Sequence, residues 1–149
     1  EDIGNADPQA LVIATNCFTA VTYIGLPEIK IILSQVAAYL AAAPKSNAAI
    51  RAINSAVEDV KKYPDLPVPL HLRNAPTSLL SDLGYGKDYR YAHNYQDNFV
   101  KEQYLPDELR QNIYYNPGEQ GREKQIGEAL QKLWDGIKNY TTKSGEKGR

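Results

Sequence analysis

Methionine is absent from the 149 residues, cysteine and tryptophan occur once each, and histidine and phenylalanine twice each. A single cysteine, Cys17, excludes an intrachain disulfide and fits a reducing compartment, which reads as the cytoplasm. Cys17, His71 and His93 lie far apart with no metal-ligand spacing. The histidines therefore read as satisfied loop residues and Cys17 as a buried or half-buried helix thiol. Neither sign of charge is in excess: 17 basic and 18 acidic residues leave a net charge of −1. That balance excludes a global field pointing to nucleic acid or membrane, so a basic patch has to be local. The longest apolar run, "VAAYLAAAP" at 36–44, is far too short to span a bilayer. The N-terminus is acidic and polar, unlike a signal peptide. Without methionine, the sequence reads as a piece of a longer chain.

What is present is a one-domain length with 42% hydrophobic residues, enough for a core. Asp7-Pro8 opens a helix, Asp capping and Pro fitting the first turn. Leu11, Ala14, Phe18 and Val21 form its apolar stripe, and Gly25 stops it. Pro27 opens a second helix with Ile29, Ile32, Leu33, Val36 and Leu40 on one face, ended by Pro44. Ser46 is the expected cap of a third, striped by Ile50, Ile53, Val57 and Val60. Short connections predict three antiparallel neighbours. A last helix is expected from near Glu119, carrying Ile126, Leu130, Leu133, Trp134 and Ile137. No alternation argues for a strand. The expected fold class is all-α, a helical domain with a long ordered Pro/Tyr-rich irregular insert.

That insert runs from Tyr63 to Pro117. Its recognisable elements are a short helix in "NAPTSLLSDLGYG", with Gly84 as a left-handed cap, and a turn at "LPDELR". Seven of the 11 tyrosines lie between Tyr85 and Tyr115. So much Tyr, Leu and Pro argues for order by packing, a ring buried and its hydroxyl at a polar edge. The stretch "GYGKDYRYAHNY" admits three explanations: an active site, a nucleic-acid platform, or a packed loop at a core or subunit contact.

Chemistry of other kinds finds little support. Lys45-Ser46 would end a phosphate loop only with glycine at the positions of Pro44 and Tyr39. Ser78 and Ser81 lack a nucleophile elbow. Asp107 and Glu108, after Pro106, read as first-turn residues favoured by the helix dipole. Nucleic-acid contact is the strongest chemical alternative: Arg73, Lys87, Arg90 and Lys101 interleave with Tyr85, Tyr89, Tyr91 and Tyr95, cations for phosphate and rings for bases. Composition favours the blander assignment, with the rings in a core or interface and the charges solvated.

"EDIGNADPQAL", "YLAAAPKSNAA", "VPLHLRNAPTSLLSDLGYGKDYRYAHNY", "QYLPDEL" and "YYNPGEQGREKQI" follow one another in this order. Together they resemble the C-terminal part of the replication-associated recombination protein A family. These are clamp-loader-like AAA+ ATPases related to Werner-helicase-interacting protein, and the likeness covers Glu1 to about Tyr140. The resemblance implies the end of the AAA+ lid and a connecting helix over 1–24. It implies an all-α C-terminal oligomerisation domain over 25–140, leaving 141–149 as a flexible tail. The motor would precede Glu1, so no catalytic, cofactor or metal residue falls in this chain; ATP and Mg belong to the missing module. The resemblance also implies a homotetramer acting in replication-fork maintenance and recombination. Its further partners would be DNA, through the parent protein, and single-strand DNA-binding protein; no membrane is implied, and the location is cytoplasmic and nucleoid-associated. The candidate interface is Tyr85, Tyr89, Arg90, Tyr91, His93 and Tyr95; the candidate DNA contacts are Arg73, Lys87, Arg90 and Lys101. The rivals are a DNA-binding module and a small enzyme of unassigned class.

Overall fold

The computed structural model describes residues 1–140. It contains α1 (Gln9–Tyr23), α2 (Ile29–Ala42), α3 (Ala48–Lys62), α4 (Ser78–Asp82) and α5 (Arg122–Leu133), with short 3₁₀ turns between them. No strand occurs among the described residues, so the all-α class holds. None of the described helices is long and apolar enough to cross a membrane.

Local chemistry sets most boundaries. Asp7 Oδ1 accepts from the Gln9 amide at 3.1 Å, and α1 ends where Ile24 turns extended. Thr77 caps α4 by accepting from the Leu80 amide, and Gly84 leaves it at φ +83°. A left-handed residue after a helix is what glycine allows at low cost. The last helix begins at Arg122, three residues later than the hydrophobic pattern suggests. Gly121 sits at φ +53°, and a Cβ there would lie 2.1 Å from the Ala6 carbonyl oxygen. The turn before α5 is therefore closed against the N-terminal segment and cannot continue the helix backwards.

The α1 and α2 helices, joined by residues 24–28, pack against each other as an antiparallel hairpin. The α2 face is the expected one except at Leu33: Ile29, Ile32, Val36 and Leu40 are partly covered, while Leu33 lies on the flank and is exposed. The α1 face is rotated from expectation. Ala10 and Cys17 are buried, while Leu11 and Phe18 remain 75% and 74% exposed. Small side chains let the two helices approach closely, and the large residues are displaced to the flank.

The third helix departs from the expected three-helix stack, its main element contact being the 3₁₀ turn Gly4–Ala6. Ala43 is extended, and the Ser46 amide donates to the Asp2 carbonyl at 2.8 Å, so the chain leaves α2 toward the N-terminus. As a result Ile53, Val57 and Val60 stay exposed, and the insert does not cover them. The insert reaches α3 by polar contact instead: Asn112 Nδ2 and Tyr114 Oη donate to Asp59 Oδ2 at 2.7 and 2.9 Å.

The tightest junction surrounds Glu123, whose side chain is wholly buried. Its Oε2 accepts from Ser46 Oγ and the Gly118 amide, both at 2.6 Å, and its Oε1 from Tyr115 Oη at 3.0 Å. Tyr115 Oη in turn accepts from Asn5 Nδ2 at 3.0 Å. One carboxylate thus ties the N-terminal segment, the α2–α3 link, the end of the insert and α5 together. Ser46, expected as a helix cap, does accept from the Ala48 amide at 3.1 Å, but its hydroxyl proton goes to Glu123.

Candidate functional site

The candidate residues of the insert fall into two Arg–Tyr groups. Arg73 lies over the Tyr85 ring at 5.0 Å, donates to Tyr85 Oη at 3.0 Å, and donates through Nε to the Val68 carbonyl at 2.6 Å. Arg90 lies 4.9 Å over Tyr95, donates through Nε to Tyr95 Oη at 3.1 Å, and reaches the Lys101 carbonyl with Nη1. The Tyr95 hydrogen bond is the main cause of a raised Arg90 pKa. Lys101 Nζ donates to the Asp135 carbonyl at 2.7 Å, linking this loop to the end of α5.

The surrounding backbone is sharply turned. Gly86, Asp88, Asp97 and Asn98 all adopt positive φ, a region Asn and Asp enter more readily than other side chains. His93 packs 5.0 Å from the Tyr91 ring, with Nδ1 3.3 Å from Asn98 Oδ1. Tyr89, Tyr91 and Lys87 are exposed. Three of the four candidate DNA-contacting cations thus already serve backbone carbonyls. Within 85–104, Lys87, Arg90 and Lys101 are balanced by Asp88, Asp97 and Glu102. Guanidinium edges and tyrosine faces remain available to a partner, but no strong local field accompanies them.

Elsewhere, His71 Nε2 donates to the Gln103 carbonyl at 2.9 Å and lies 3.8 Å from Glu102 Oε1. No group of three or more His, Cys, Asp or Glu that could hold a metal occurs among the described residues. Lys45 Nζ donates to the Leu40 carbonyl. Together with the Ser46–Glu123 bond, this commits both residues of the would-be phosphate loop to the fold. A groove of about 690 Å³ runs along α5 past Lys124, Glu128, Gln131 and Tyr140, lined by both signs of charge.

An exposed apolar surface lies outside the candidate residues. Helix α1 contains no Asp, Glu, Lys or Arg, and α2 contains only Lys30. Leu11, Val12, Phe18, Tyr23, Ile31 and Leu33 are nonetheless exposed on this hairpin. Thr15, Thr19 and Thr22 are exposed and donate their hydroxyls to carbonyls four residues back. A helix apolar on all sides is one that is covered. The signal was legible as the missing charge between Gln9 and Tyr23, which a search for stripes passes over.

A family model described as MgsA AAA+ ATPase C terminal matches residues 1–134. Replication-associated recombination protein A of Escherichia coli K12 is 45% identical over 131 residues, 87% of this chain and 29% of that protein. The protein of the same name from Haemophilus influenzae Rd is 43% identical over 144 residues, 96% of this chain and 32% of that protein. ATPase WRNIP1 of Dictyostelium discoideum is 41% identical over 116 residues, 77% of this chain and 13% of that protein. The chain thus spans about three tenths of the length of its bacterial relatives.

Proposed function

We propose, starting from the fact that this chain belongs to the MgsA AAA+ ATPase C-terminal family, that it is a self-assembly domain. In this proposal it holds together four copies of a DNA-dependent ATPase of replication-associated recombination. It contributes no ATP chemistry itself; ATP and Mg bind a motor module elsewhere in the parent protein. The observation that carries self-assembly is the surface. The chain exposes 11426 Å², whereas a compact monomer of this length exposes about 7,600 Å². Nine terminal residues would add only about 1,400 Å² even if fully extended. Among the described residues the buried hydrophobic ones are Ala6, Ala10, Cys17, Ala43, Ala48 and Val100, mostly alanine, while many large apolar side chains lie outside. A surface so distributed supports reading the domain as a subunit. The number four follows the family resemblance and fits dihedral symmetry. Light scattering on the purified domain, without nucleotide or DNA, is the test. A tetrameric mass is expected, and a monomeric mass from micromolar to submillimolar concentration overturns the proposal.

DNA contact by the insert is the second function, favoured by the open faces of Tyr89 and Tyr91 beside Lys87 and Arg90. Anisotropy with labelled single-stranded DNA tests it. Lys87→Ala and Arg90→Ala should each weaken binding and lower the salt slope by about one. No binding by wild type at low salt excludes the role for this domain.

A further inference from the structure

We infer that the α1–α2 hairpin is one of the contacts between copies, and that its occupant is the same hairpin of a second chain, the two closing into a four-helix bundle that forms one of the two kinds of interface a dihedral tetramer needs. The inference rests on the self-assembly proposal and locates it. Three observations favour the hairpin over the tyrosine-rich insert.

The first is its position. The main element contact of α1 and of α2 is with each other. The N-terminal segment is held back at the far junction, with Asp2 on Ser46 and Ala6 beside Gly121. The hairpin therefore stands out as an arm whose tip, at Ile24 and Leu26, is exposed.

The second is which residues share a side. Leu11 and Phe18, seven positions apart, occupy one flank of α1. Leu33 and Ala37 occupy the flank of α2 that an antiparallel hairpin turns to the same side. The two Thr residues between and beyond Leu11 and Phe18 offer no free hydroxyl proton, because each is bonded to its own helix. The result is a continuous apolar face two helices wide, the shape that a second two-helix layer covers.

The third is charge. An occupant of another sequence would find almost nothing to orient it, since Lys30 is the only charged residue in the two helices. A neutral, self-complementary face suits its own copy related by a two-fold axis, where like meets like without repulsion. With about 1,400 Å² allowed for residues 141–149, the exposed surface in excess of a compact monomer is about 2,400 Å² by the size relation, ample for a standard interface of about 800 Å² per partner.

The test is the mass of Phe18→Glu and of Leu11→Glu/Phe18→Glu, beside wild type and Tyr89→Ala/Arg90→Ala. Both hairpin residues are solvent-exposed within one chain, so circular dichroism should show unchanged helicity. The expected result is loss of the wild-type oligomer at micromolar concentration in the hairpin variants, with the insert variant unaffected. A wild-type oligomer that survives in the hairpin variants overturns the hairpin contact and leaves self-assembly standing. A monomeric wild type overturns both. If a glutamate variant fails to fold, Leu11→Cys and Phe18→Cys in a Cys17→Ala background, treated with a short bismaleimide, decide instead. A covalent dimer supports the contact. An oligomeric sample that neither position cross-links excludes it.

Discussion

The hairpin arm and the Glu123 junction invert the usual distribution of a small domain. At the junction a charge is wholly buried among the polar groups of Ser46, Gly118 and Tyr115. On the arm leucine, phenylalanine and isoleucine face outward. The junction is specific because a buried carboxylate is tolerable only when each oxygen is met by a donor, and here three donors converge on it. It fixes where four remote segments meet without much apolar area. On the self-assembly proposal the arm needs no such specificity within the chain, because its exposed large side chains would meet another surface. The proposal thus assigns stability and assembly to different regions, so substitutions should separate them.

The largest expected effect is at the junction. Glu123→Ala leaves the half-buried Ser46 hydroxyl, Gly118 amide and Tyr115 hydroxyl without their acceptor, and should cost about 3–5 kcal/mol. Urea unfolding checks this, and a loss below about 1 kcal/mol would show that water enters the junction freely. Gly121→Ala comes next. It combines a positive φ with a Cβ placed 2.1 Å from the Ala6 carbonyl oxygen and 2.8 Å from Pro44 Cγ. About 2–3 kcal/mol is expected, whereas Gly25→Ala, with open space around it, should be near neutral.

How much of this was legible in the sequence differs between the two regions for a physical reason. Helices α1 to α3 were placed nearly to the residue, since stripes and Pro or Gly punctuation are local signals. The membership of a recombination ATPase family was legible from ordered phrases. The face that α1 buries was not, because Ala10 and Cys17 win by allowing close approach, a property of the pair rather than of one helix. Glu123 was invisible: Glu next to Arg122 and Lys124 reads as a solvated helix start. Its donors Ser46, Tyr115 and Gly118 converge only after the chain has folded over 77 positions.

Tyr115→Phe is a smaller perturbation of the same junction. It removes one hydroxyl that links Asn5 to Glu123 and should cost about 1–1.5 kcal/mol. It also carries a pH signature. Burial, followed by the opposing effect of Asn5 and the raising effect of Glu123, holds the Tyr115 pKa above its ordinary value of 10. Its folded form keeps the proton longer than the unfolded chain does. Its contribution is therefore complete below pH 10 and is lost as pH rises through the higher folded value. Between pH 9 and 11 the melting temperature of wild type should fall more steeply than that of Tyr115→Phe. Parallel slopes would mean that Tyr115 is as hydrated in the fold as outside it.

The smallest expected effect lies on α3, and it sharpens the comparison most. Its stripe Ile50, Ile53, Val57 and Val60 looks like a core face, and a fully buried Ile53 would make Ile53→Ala cost about 2–5 kcal/mol. In the chain Ile53 is 60% exposed. Little area is uncovered on truncation and no cavity forms, so about 0.5 kcal/mol or less is expected. The measurement belongs at two protein concentrations, because a subunit contact makes stability depend on concentration. A small, concentration-independent loss leaves the hairpin as the apolar surface that assembly covers. A loss of 2 kcal/mol or more that grows with concentration would place α3 in a second contact, with two kinds of interface per chain. That is what a dihedral tetramer requires.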